Sequence, residues 1–294
     1  METEHKVEVR VCTRSRSHLA ECPIWDGQRL LYLDLKKPAI IALRPDAPEE
    51  RHALALPAPL GGLCLSQDGE LAISCRDGIF RVDPVSLHLG TLLSAPHESF
   101  GTAPPNDAKV HPSGFLFIAT ADAAEKSPTG GVFLSSQGRG LQRLLSGYTV
   151  GNGPTFSPDG RTVYIADSPK GIIHSYEWDE HRRALGKSKI FAPGDGTPGI
   201  PDGLAIDTDG GVWSARWDGG MVVRYEPDGR ESCRIRVPAK HVTSCAFGGP
   251  DLRTLYITTA HDEEGDAHLR VDLGGHVFAV DVGRTGLPSA RAVI

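Results

Sequence analysis

The sequence predicts an all-β fold, a six-bladed β-propeller, from a repeated unit of two apolar stretches joined by a turn. The turn glycines at positions 27, 69, 114, 160 and 210 are separated by 42, 45, 46 and 50 residues. This period is that of a four-stranded propeller blade and is too long for a leucine-rich or ankyrin repeat. No stretch of about 12 or more residues has helical apolar periodicity, and the 34 glycines and 22 prolines would interrupt most candidates.

Six units follow one another along the chain, each with a first strand, a turn and a second strand. Their turns are Asp26–Gly27, Asp68–Gly69, Ser113–Gly114, Asp159–Gly160, Asp209–Gly210 and Gly249–Asp251. Asp-Gly and Ser-Gly turns supply a residue that accepts positive φ, and the flanking runs are β-branched or aromatic. Third strands follow, as in Gly171–Tyr176 and Met221–Tyr225. The alternating segment Lys6–Val11 is predicted to close the ring in the last blade, because a propeller must cover its open edges.

Length and charge limit the classes of protein that remain. The 294 residues, 39% of them hydrophobic, contain no linker or low-complexity run, so we expect one propeller domain over residues 1–294. A net charge of −6 argues against nucleic-acid binding. No apolar run is long enough to span a bilayer, and Met1–Lys6 lacks the apolar core of a signal peptide. We therefore expect a cytoplasmic monomer or weak homo-oligomer without a membrane partner.

Three amide or carboxylate side chains stand at the same point of the repeat. Asn106, Asn152 and Asp202 each lie eight positions before a turn glycine, at the start of a first strand. Because first strands line the central channel of a propeller, we expect these side chains to converge at its mouth. Glu21 takes the equivalent place in the irregular first unit, and Gly61 in the second unit is expected to leave room instead of a ligand.

Such a set of oxygen donors, without thiolate or imidazole, suits Ca²⁺, Mg²⁺ or Mn²⁺ and is compatible with Zn²⁺. The set is too small to fill a coordination sphere, so water or substrate oxygens would complete it, as in a catalytic metal site. The same residue types also precede strands for local reasons, because Asn-Gly and Asp-Gly pairs form turns. Glu21 favours the metal site, since glutamate is no turn former and a lone charge before an apolar strand is costly.

Five motifs in this order resemble those of the SMP-30/gluconolactonase/LRE (regucalcin-like) family. They are Leu19–Trp25, Pro105–Val110, Asn152–Gly160, Pro201–Asp207 and Thr243–Gly249. The resemblance covers almost the whole chain, from about Glu21 to Pro288. It implies a six-bladed propeller that holds one divalent cation, with Ca²⁺, Mg²⁺, Mn²⁺, Fe²⁺ and Zn²⁺ as candidates. It also implies the hydrolysis of a small-molecule sugar lactone to the open-chain sugar acid.

The resemblance also implies roles for individual residues. By motif position, the metal ligands fall on Glu21, Asn152 and Asp202, and the substrate-binding asparagine falls on Asn106. Asp202 is also the implied general base. A carboxylate bound to a cation is a weakened base, so a neighbouring group such as Asp107 is an alternative.

Two positions depart from the pattern of the family. Pro104 stands where many members have an arginine that grips substrate hydroxyls, and Arg216 is a candidate replacement. The second substrate-binding acidic residue is displaced, with Asp122 and Glu125 the nearest candidates.

Two other functions remain open from the sequence. A metal-dependent phosphotriesterase or aryl esterase would use the same activated water, and a non-enzymatic calcium-binding propeller would share the fold. The segment His261–His268 is dense in ligand-type side chains but lacks the spacing of a calcium loop or of a zinc helix. We interpret it as a solvated loop that could overhang the channel.

Overall fold

The fold is built from short β-sheets that follow one another along the chain. The computed structural model describes residues 8–44, 47, 50–54, 59–94, 100, 103–136, 140–194, 196–261 and 272–294. Five sheets have four strands and one has five. The first strand of each sheet contacts the first strand of the next, and the sixth contacts the first, which closes a ring. The architecture is a six-bladed β-propeller, so the predicted fold class is confirmed.

The first half of the ring contains strands β1 to β13. The chain begins with β1 (Arg10–Val11), which belongs to the last blade. Blade 1 is formed by β2 (Ala20–Trp25), β3 (Leu30–Asp34), β4 (Ala39–Leu43) and β5 (Glu50–Ala53). Blade 2 is formed by β6 (Leu60–Ser66), β7 (Leu71–Cys75), β8 (Gly78–Val82) and β9 (Leu89–Ser94). Blade 3 is formed by β10 (Pro105–Val110), β11 (Leu116–Thr120), β12 (Gly130–Ser136) and β13 (Gly140–Tyr148).

The second half contains strands β14 to β25. Blade 4 is formed by β14 (Gly151–Phe156), β15 (Thr162–Asp167), β16 (Ile172–Asp179) and β17 (Ala184–Ala192). Blade 5 is formed by β18 (Ile200–Ile206), β19 (Val212–Trp217), β20 (Met221–Tyr225) and β21 (Glu231–Arg236). Blade 6 is formed by β22 (His241–Gly248), β23 (Thr254–Ala260), β24 (Phe278–Asp281) and β1. The last strand is β25 (Arg291–Ala292).

Both ends of the chain join sheets that are otherwise formed by distant residues. Arg10 of β1 pairs with Ala279 of β24, so an N-terminal strand is the outer edge of blade 6. The strand predicted over Lys6–Val11 is observed over its last two residues, and residues 1–7 lie outside the described part of the chain. At the other end, Arg291 of β25 pairs in parallel with Leu65 of β6, which gives blade 2 its fifth strand.

Apolar side chains fill the spaces between neighbouring blades. Because each blade is packed between two others, both of its faces are buried, and strands such as β3 are apolar at nearly every position. Between blades 3 and 4, the ring of Phe117 lies 5.0 Å from the rings of both Phe156 and Trp178. In the described ranges, no helix is both long enough and apolar enough to cross a bilayer.

Candidate functional site

A bulge interrupts the first strand of every blade near the predicted site residues. The six shifts of register lie between Glu21 and Ile24, Leu60 and Gly62, Pro105 and Asp107, Asn152 and Thr155, Pro201 and Leu204, and Val242 and Ser244. A bulge breaks the ladder locally and re-aims a side chain. The repeated bulge gives Glu21, Asn106, Asn152 and Asp202 equivalent positions on four different blades.

The backbone after two of these residues has the same left-handed conformation. Cys22, which follows Glu21, has a φ of 52°, and Gly153, which follows Asn152, has a φ of 49°. A Cβ at Gly153 would lie 2.5 Å from the backbone nitrogen of Leu204, so glycine is required there. A left-handed cysteine costs about 1–3 kcal/mol, and such residues cluster at functional sites.

Gly61 was predicted to leave open space at this register in place of a ligand, and this prediction is wrong. A Cβ on Gly61 would lie 2.1 Å from the Cβ of Pro105, so the backbone of blade 3 fills the space beside it. The glycine allows blades 2 and 3 to approach closely.

The three predicted metal ligands are buried, with exposed fractions of 6% for Glu21, 5% for Asn152 and 8% for Asp202. The pKa of Glu21 is raised well above its ordinary value, first by burial and then by the negative charges of Asp202 and Asp107. The pKa of Asp202 is also raised well above its ordinary value by burial and by the charge of Asp107. The fold therefore buries three carboxylates near enough for their charges to act on one another.

The two asparagines contact each other across the boundary between blades 3 and 4. Asn106 Nδ2 donates to Asn152 Oδ1 over 2.9 Å and to the carbonyl of Gly151 over 3.1 Å. Asn152 Nδ2 donates to Ser168 Oγ over 2.9 Å, which fixes the amide with its oxygen towards Asn106. An amide oxygen has two lone pairs, so Asn152 Oδ1 retains one for a further partner.

Asp107 is enclosed by donors. Its Oδ1 accepts hydrogen bonds from the backbone N–H of Ala108 at 2.7 Å and from the thiol of Cys22 at 3.5 Å. Its Oδ2 accepts one from the N–H of Gly153 at 2.8 Å. Burial is the main cause that raises the pKa of Asp107, and Lys109 opposes it. Asp107 is the alternative general base that the sequence offered. It is poorly suited to that role because both of its oxygens accept hydrogen bonds from these donors.

Lys109 is the cation whose charge acts on both Glu21 and Asp107. Its ammonium group donates to the carbonyl oxygen of Leu204 in blade 5. Glu21, Asp107 and Asp202, when ionised, carry three negative charges against this single positive one. We call the cluster of Glu21, Asp107, Asn152 and Asp202 the hub. With its three carboxylates ionised, the hub and Lys109 together have a net charge of −2, which is a deficit of two positive charges.

This charge deficit matches one divalent cation. Burying carboxylates without compensation is costly, and a bound cation relieves both the burial cost and the mutual repulsion. Among the residues that the structure describes, no three His, Cys, Asp or Glu side chains form a ligand set by themselves. A cation at the hub would thus need the amide oxygen of Asn152 beside the carboxylates of Glu21 and Asp202. These three residues fit a hard divalent cation.

Beyond Lys109 the channel is mostly apolar. A cavity of about 120 Å³ is lined by all six first strands, including Ile24, Leu63, Val110 and Phe156. The segment Leu287–Ala290 also lines it, and this segment leads into β25. Hence the hub adjoins a region of low polarity, where electrostatic interactions are stronger than in water.

The loop after β11 carries the two acidic candidates for substrate binding. Asp122 Oδ1 accepts from Thr129 Oγ1 at 2.6 Å, and Oδ2 accepts from the N–H groups of Lys126 and Ser127. These bonds lower the pKa of Asp122 to about 2 and use its carboxylate to hold the loop. Glu125 is exposed, has a φ of 57°, and its charge raises the pKa of Asp202. Of the two, Glu125 is the stronger candidate for substrate binding, because the carboxylate of Asp122 is used to hold the loop.

Arg216 is buried and holds the loop that contains Gly199. Arg216 is 1% exposed, and its Nη2 donates a hydrogen bond to the carbonyl oxygen of Gly199 at 2.7 Å. Direct contact of Arg216 with substrate stays a prediction. Pro104, at the place of the family's arginine, offers a carbonyl that accepts from the N–H of Ala121 at 3.0 Å.

The segment His261–His268 falls largely outside the described residues, which end at His261 and resume at 272.

Sequence reasoning missed two residues of this region. Lys109 follows Asn106 by three positions in β10, and a lysine inside a channel-facing strand was a usable signal. Thr243 lies at the bulge of blade 6, and its Oγ1 donates to the carbonyl of Ala20 at 2.5 Å, directly before Glu21. No pattern in the sequence indicates that contact.

The match to a known family agrees with the fold. The model of the SMP-30/gluconolactonase/LRE-like region matches residues 19–261. The chain is 32% identical over 289 residues to pentonolactonase XacC of Haloferax volcanii, covering 93% of this chain and 94% of that protein. It is 33% identical over 287 residues to 6-deoxy-6-sulfogluconolactonase of Pseudomonas putida, covering 95% and 96%.

Among solved structures, the chain is similar to a calcium-binding protein, regucalcin, from Agrobacterium tumefaciens. The TM-score is 0.89 at 27% sequence identity, with 97% of each chain covered. The fold and the family match define a propeller of the regucalcin-like class. This chain belongs to the SMP-30/gluconolactonase/LRE-like family, as its motifs indicated.

Proposed function

We propose that this protein is a lactonase that depends on a divalent cation and hydrolyses a sugar lactone to the open-chain sugar acid. The observation that carries the proposal is the hub, where three buried carboxylates face one lysine and leave a charge deficit of two. Two relatives that match nearly the whole chain are named as lactonases of sugar acids, which supports this substrate class.

In the proposed site, Glu21, Asn152 and Asp202 hold the cation. When bound, such a cation would supply Lewis acidity for the lactone carbonyl and for the negative charge that develops on its oxygen. Asp202 acts as the general base. Its carboxylate accepts a hydrogen bond from the backbone N–H of Gly203, which leaves oxygen lone pairs for a water molecule.

The proposed hydrolysis has two steps, the attack of water and the opening of the lactone ring. The water oxygen attacks the carbonyl carbon while a carboxylate oxygen of Asp202 takes the proton. When the tetrahedral intermediate collapses, the bond between the carbonyl carbon and the ring oxygen breaks. Asp202 returns the proton to this leaving oxygen, which becomes the hydroxyl of the open-chain acid.

Substrate contacts come from the mouth of the channel. Asn106 donates a hydrogen bond to the proposed ligand Asn152 and is half-buried, and Glu125 lies on the loop after β11, where its charge acts on Asp202. Both are suited to hydrogen-bond the hydroxyls of a sugar ring. Arg216 supports the loop at Gly199 and remains a candidate for direct contact with substrate. The absence of an arginine at Pro104 removes one cationic contact, so the substrate selectivity should differ from that of members with this arginine.

The proposal is tested by an indicator assay of acid release from pentono- and hexono-lactones. Each lactone is assayed with Ca²⁺, Mg²⁺, Mn²⁺, Fe²⁺ and Zn²⁺ in turn, after chelation. We expect turnover with at least one lactone, its loss on chelation, and its loss in Asp202→Ala. Asp228→Ala, in an exposed turn of the same blade, is the matched control. Undiminished turnover after chelation would refute the role of the cation.

A calcium-binding propeller without enzymatic activity is the second candidate. It is favoured by the similarity to a structure described as a calcium-binding protein. Uptake of Ca²⁺ without turnover of any lactone would support this candidate. Turnover of phosphotriesters or aryl esters in preference to lactones would instead support the esterase alternative.

A further inference from the structure

One buried carboxylate contacts the residues that follow two of the proposed ligands. Asp107 accepts a hydrogen bond from the N–H of Gly153, the residue after Asn152, at 2.8 Å. It accepts another from the thiol of Cys22, the residue after Glu21, at 3.5 Å. Because Asp107 lies in blade 3, its carboxylate connects blades 1, 3 and 4 at the level of the hub.

We propose that Asp107 is a positioning residue that fixes the backbone beside Glu21 and Asn152, and so holds both ligands in the geometry that a divalent cation requires. This inference rests on the proposed function, since it concerns the same cation site. It assigns Asp107 a role that is neither that of a ligand nor that of the general base.

The conformation of the two contacted residues supports this role. Cys22 and Gly153 both have a left-handed backbone, with φ of 52° and 49°. A cysteine adopts this conformation at a cost, so outside contacts must hold it. The N–H of Cys22 already donates to Glu21 Oε2 at 2.9 Å. The contact from blade 1 to Asp107 is therefore made by the thiol of Cys22. The contact from blade 4 is made by the backbone N–H of Gly153.

The orientation of the Glu21 carboxylate also depends on Asp107, through Cys22. Glu21 Oε2 is bound by the N–H of Cys22, and Cys22 Sγ is bound to Asp107 Oδ1. A displacement of Asp107 would thus move the group that orients the Glu21 carboxylate. Partners outside the ligand shell orient metal ligands in this way, and their loss typically weakens metal binding by about 10–100-fold.

The first test is Mn²⁺ binding to the full chain by calorimetry, for the parent protein and for Asp107→Asn. The amide keeps the shape of the side chain, but its NH₂ group cannot accept the hydrogen bonds that one carboxylate oxygen accepts. We expect the Kd for Mn²⁺ to rise by about 10–100-fold. At saturating Mn²⁺, kcat for the lactone should return to within a few fold of the parent value, because Asp107 is not the base.

A pair of variants that differ by one atom provides an independent test. Cys22→Ala removes the donor to Asp107, whereas Cys22→Ser keeps a donor in its place. Cys22→Ala should weaken Mn²⁺ binding, and Cys22→Ser should restore most of the affinity. Asp207→Asn is the control for general destabilisation, because Asp207 is also buried and accepts backbone N–H groups. It lies roughly 16 Å from Asp202 along the strand, so it should lower the Tm and leave the Kd unchanged.

The outcomes separate this inference from the proposed function. If the parent protein binds no divalent cation, both fail. If it binds Mn²⁺ and Asp107→Asn binds equally well, only the positioning role is overturned. An unchanged Kd with kcat lost at saturating Mn²⁺ would identify Asp107 as the base instead. If Asp107→Asn does not fold, the two Cys22 variants decide, and equal affinities for them would overturn the proposal.

Discussion

Removing the divalent cation should lower the thermal stability of this protein by an amount that depends on pH. The perturbation acts on the hub, where the buried carboxylates of Glu21, Asp107 and Asp202 lie near the half-buried Lys109. At a cation concentration of about 1,000 times Kd, mass action contributes about 4.1 kcal/mol. With about 2.1 cal/mol/K of unfolding entropy per residue, 294 residues give roughly 0.6 kcal/mol/K. The expected loss of Tm on chelation is therefore about 7 °C.

The sign of the pH dependence follows from the raised pKa values. Without a cation, the pKa values of Glu21 and Asp202 in the folded protein lie well above the unfolded values of about 4. The folded state then binds more protons than the unfolded state, so stability falls as pH rises above about 4 towards the folded pKa values. A cation requires the ionised carboxylates, so its affinity falls as pH falls. The gain in Tm from the cation should therefore grow with pH.

The measurement is the Tm of the parent protein at pH 5 and pH 8, each in EDTA and in excess Mn²⁺. We expect a larger gain in Tm at pH 8 than at pH 5. The variant Glu21→Gln removes one of the repelling charges and one ligand, so it should be more stable than the parent in EDTA and should gain less from Mn²⁺. A gain that is absent, or equal at the two pH values, would refute the assignment of the cation to these carboxylates.

Three further predictions concern single residues. Asp202→Asn should lower kcat/KM for the lactone by about 10²–10⁴-fold, because it removes the general base, while circular dichroism shows an unchanged fold; activity near the parent value would exclude Asp202 as the base. Glu125→Gln should raise KM with little change in kcat, since we propose that the exposed carboxylate contacts substrate and not the reacting atoms; steady-state kinetics test this, and an unchanged KM contradicts it. Gly61→Ala should cost about 1–3 kcal/mol in urea unfolding, because its Cβ would lie 2.1 Å from Pro105. Gly186→Ala, where the nearest atom is 3.4 Å away, is the matched control and should cost less.

The fold could be predicted because its information is local and repeated. Each turn glycine marks a hairpin within one blade, and a fixed period of such hairpins admits few architectures. The strand β25 could not be found in this way, because Arg291–Ala292 is too short to show alternation. Its pairing with Leu65 of β6 joins residues at opposite ends of the sequence, and no local pattern specifies such a contact.

The burial of the candidate site residues could be predicted from the sequence, but their hydrogen bonds could not. Register placed Glu21, Asn152 and Asp202 at equivalent points of the repeat, and the structure buries all three. Asp107 reads as a turn residue after Asn106, and only coordinates reveal that its carboxylate reaches two other blades. Likewise, Asp122 and Glu125 are equivalent acids in the sequence, and the loop's hydrogen bonds alone distinguish them.

Anomalous diffraction at the manganese edge, from crystals grown with Mn²⁺, tests the central claim most directly. The account predicts one strong peak at the channel mouth, about 2.0–2.6 Å from carboxylate oxygens of Glu21 and Asp202 and from Asn152 Oδ1. A hub without a peak in crystals that contain Mn²⁺ elsewhere, or a peak bound by other residues, would contradict it.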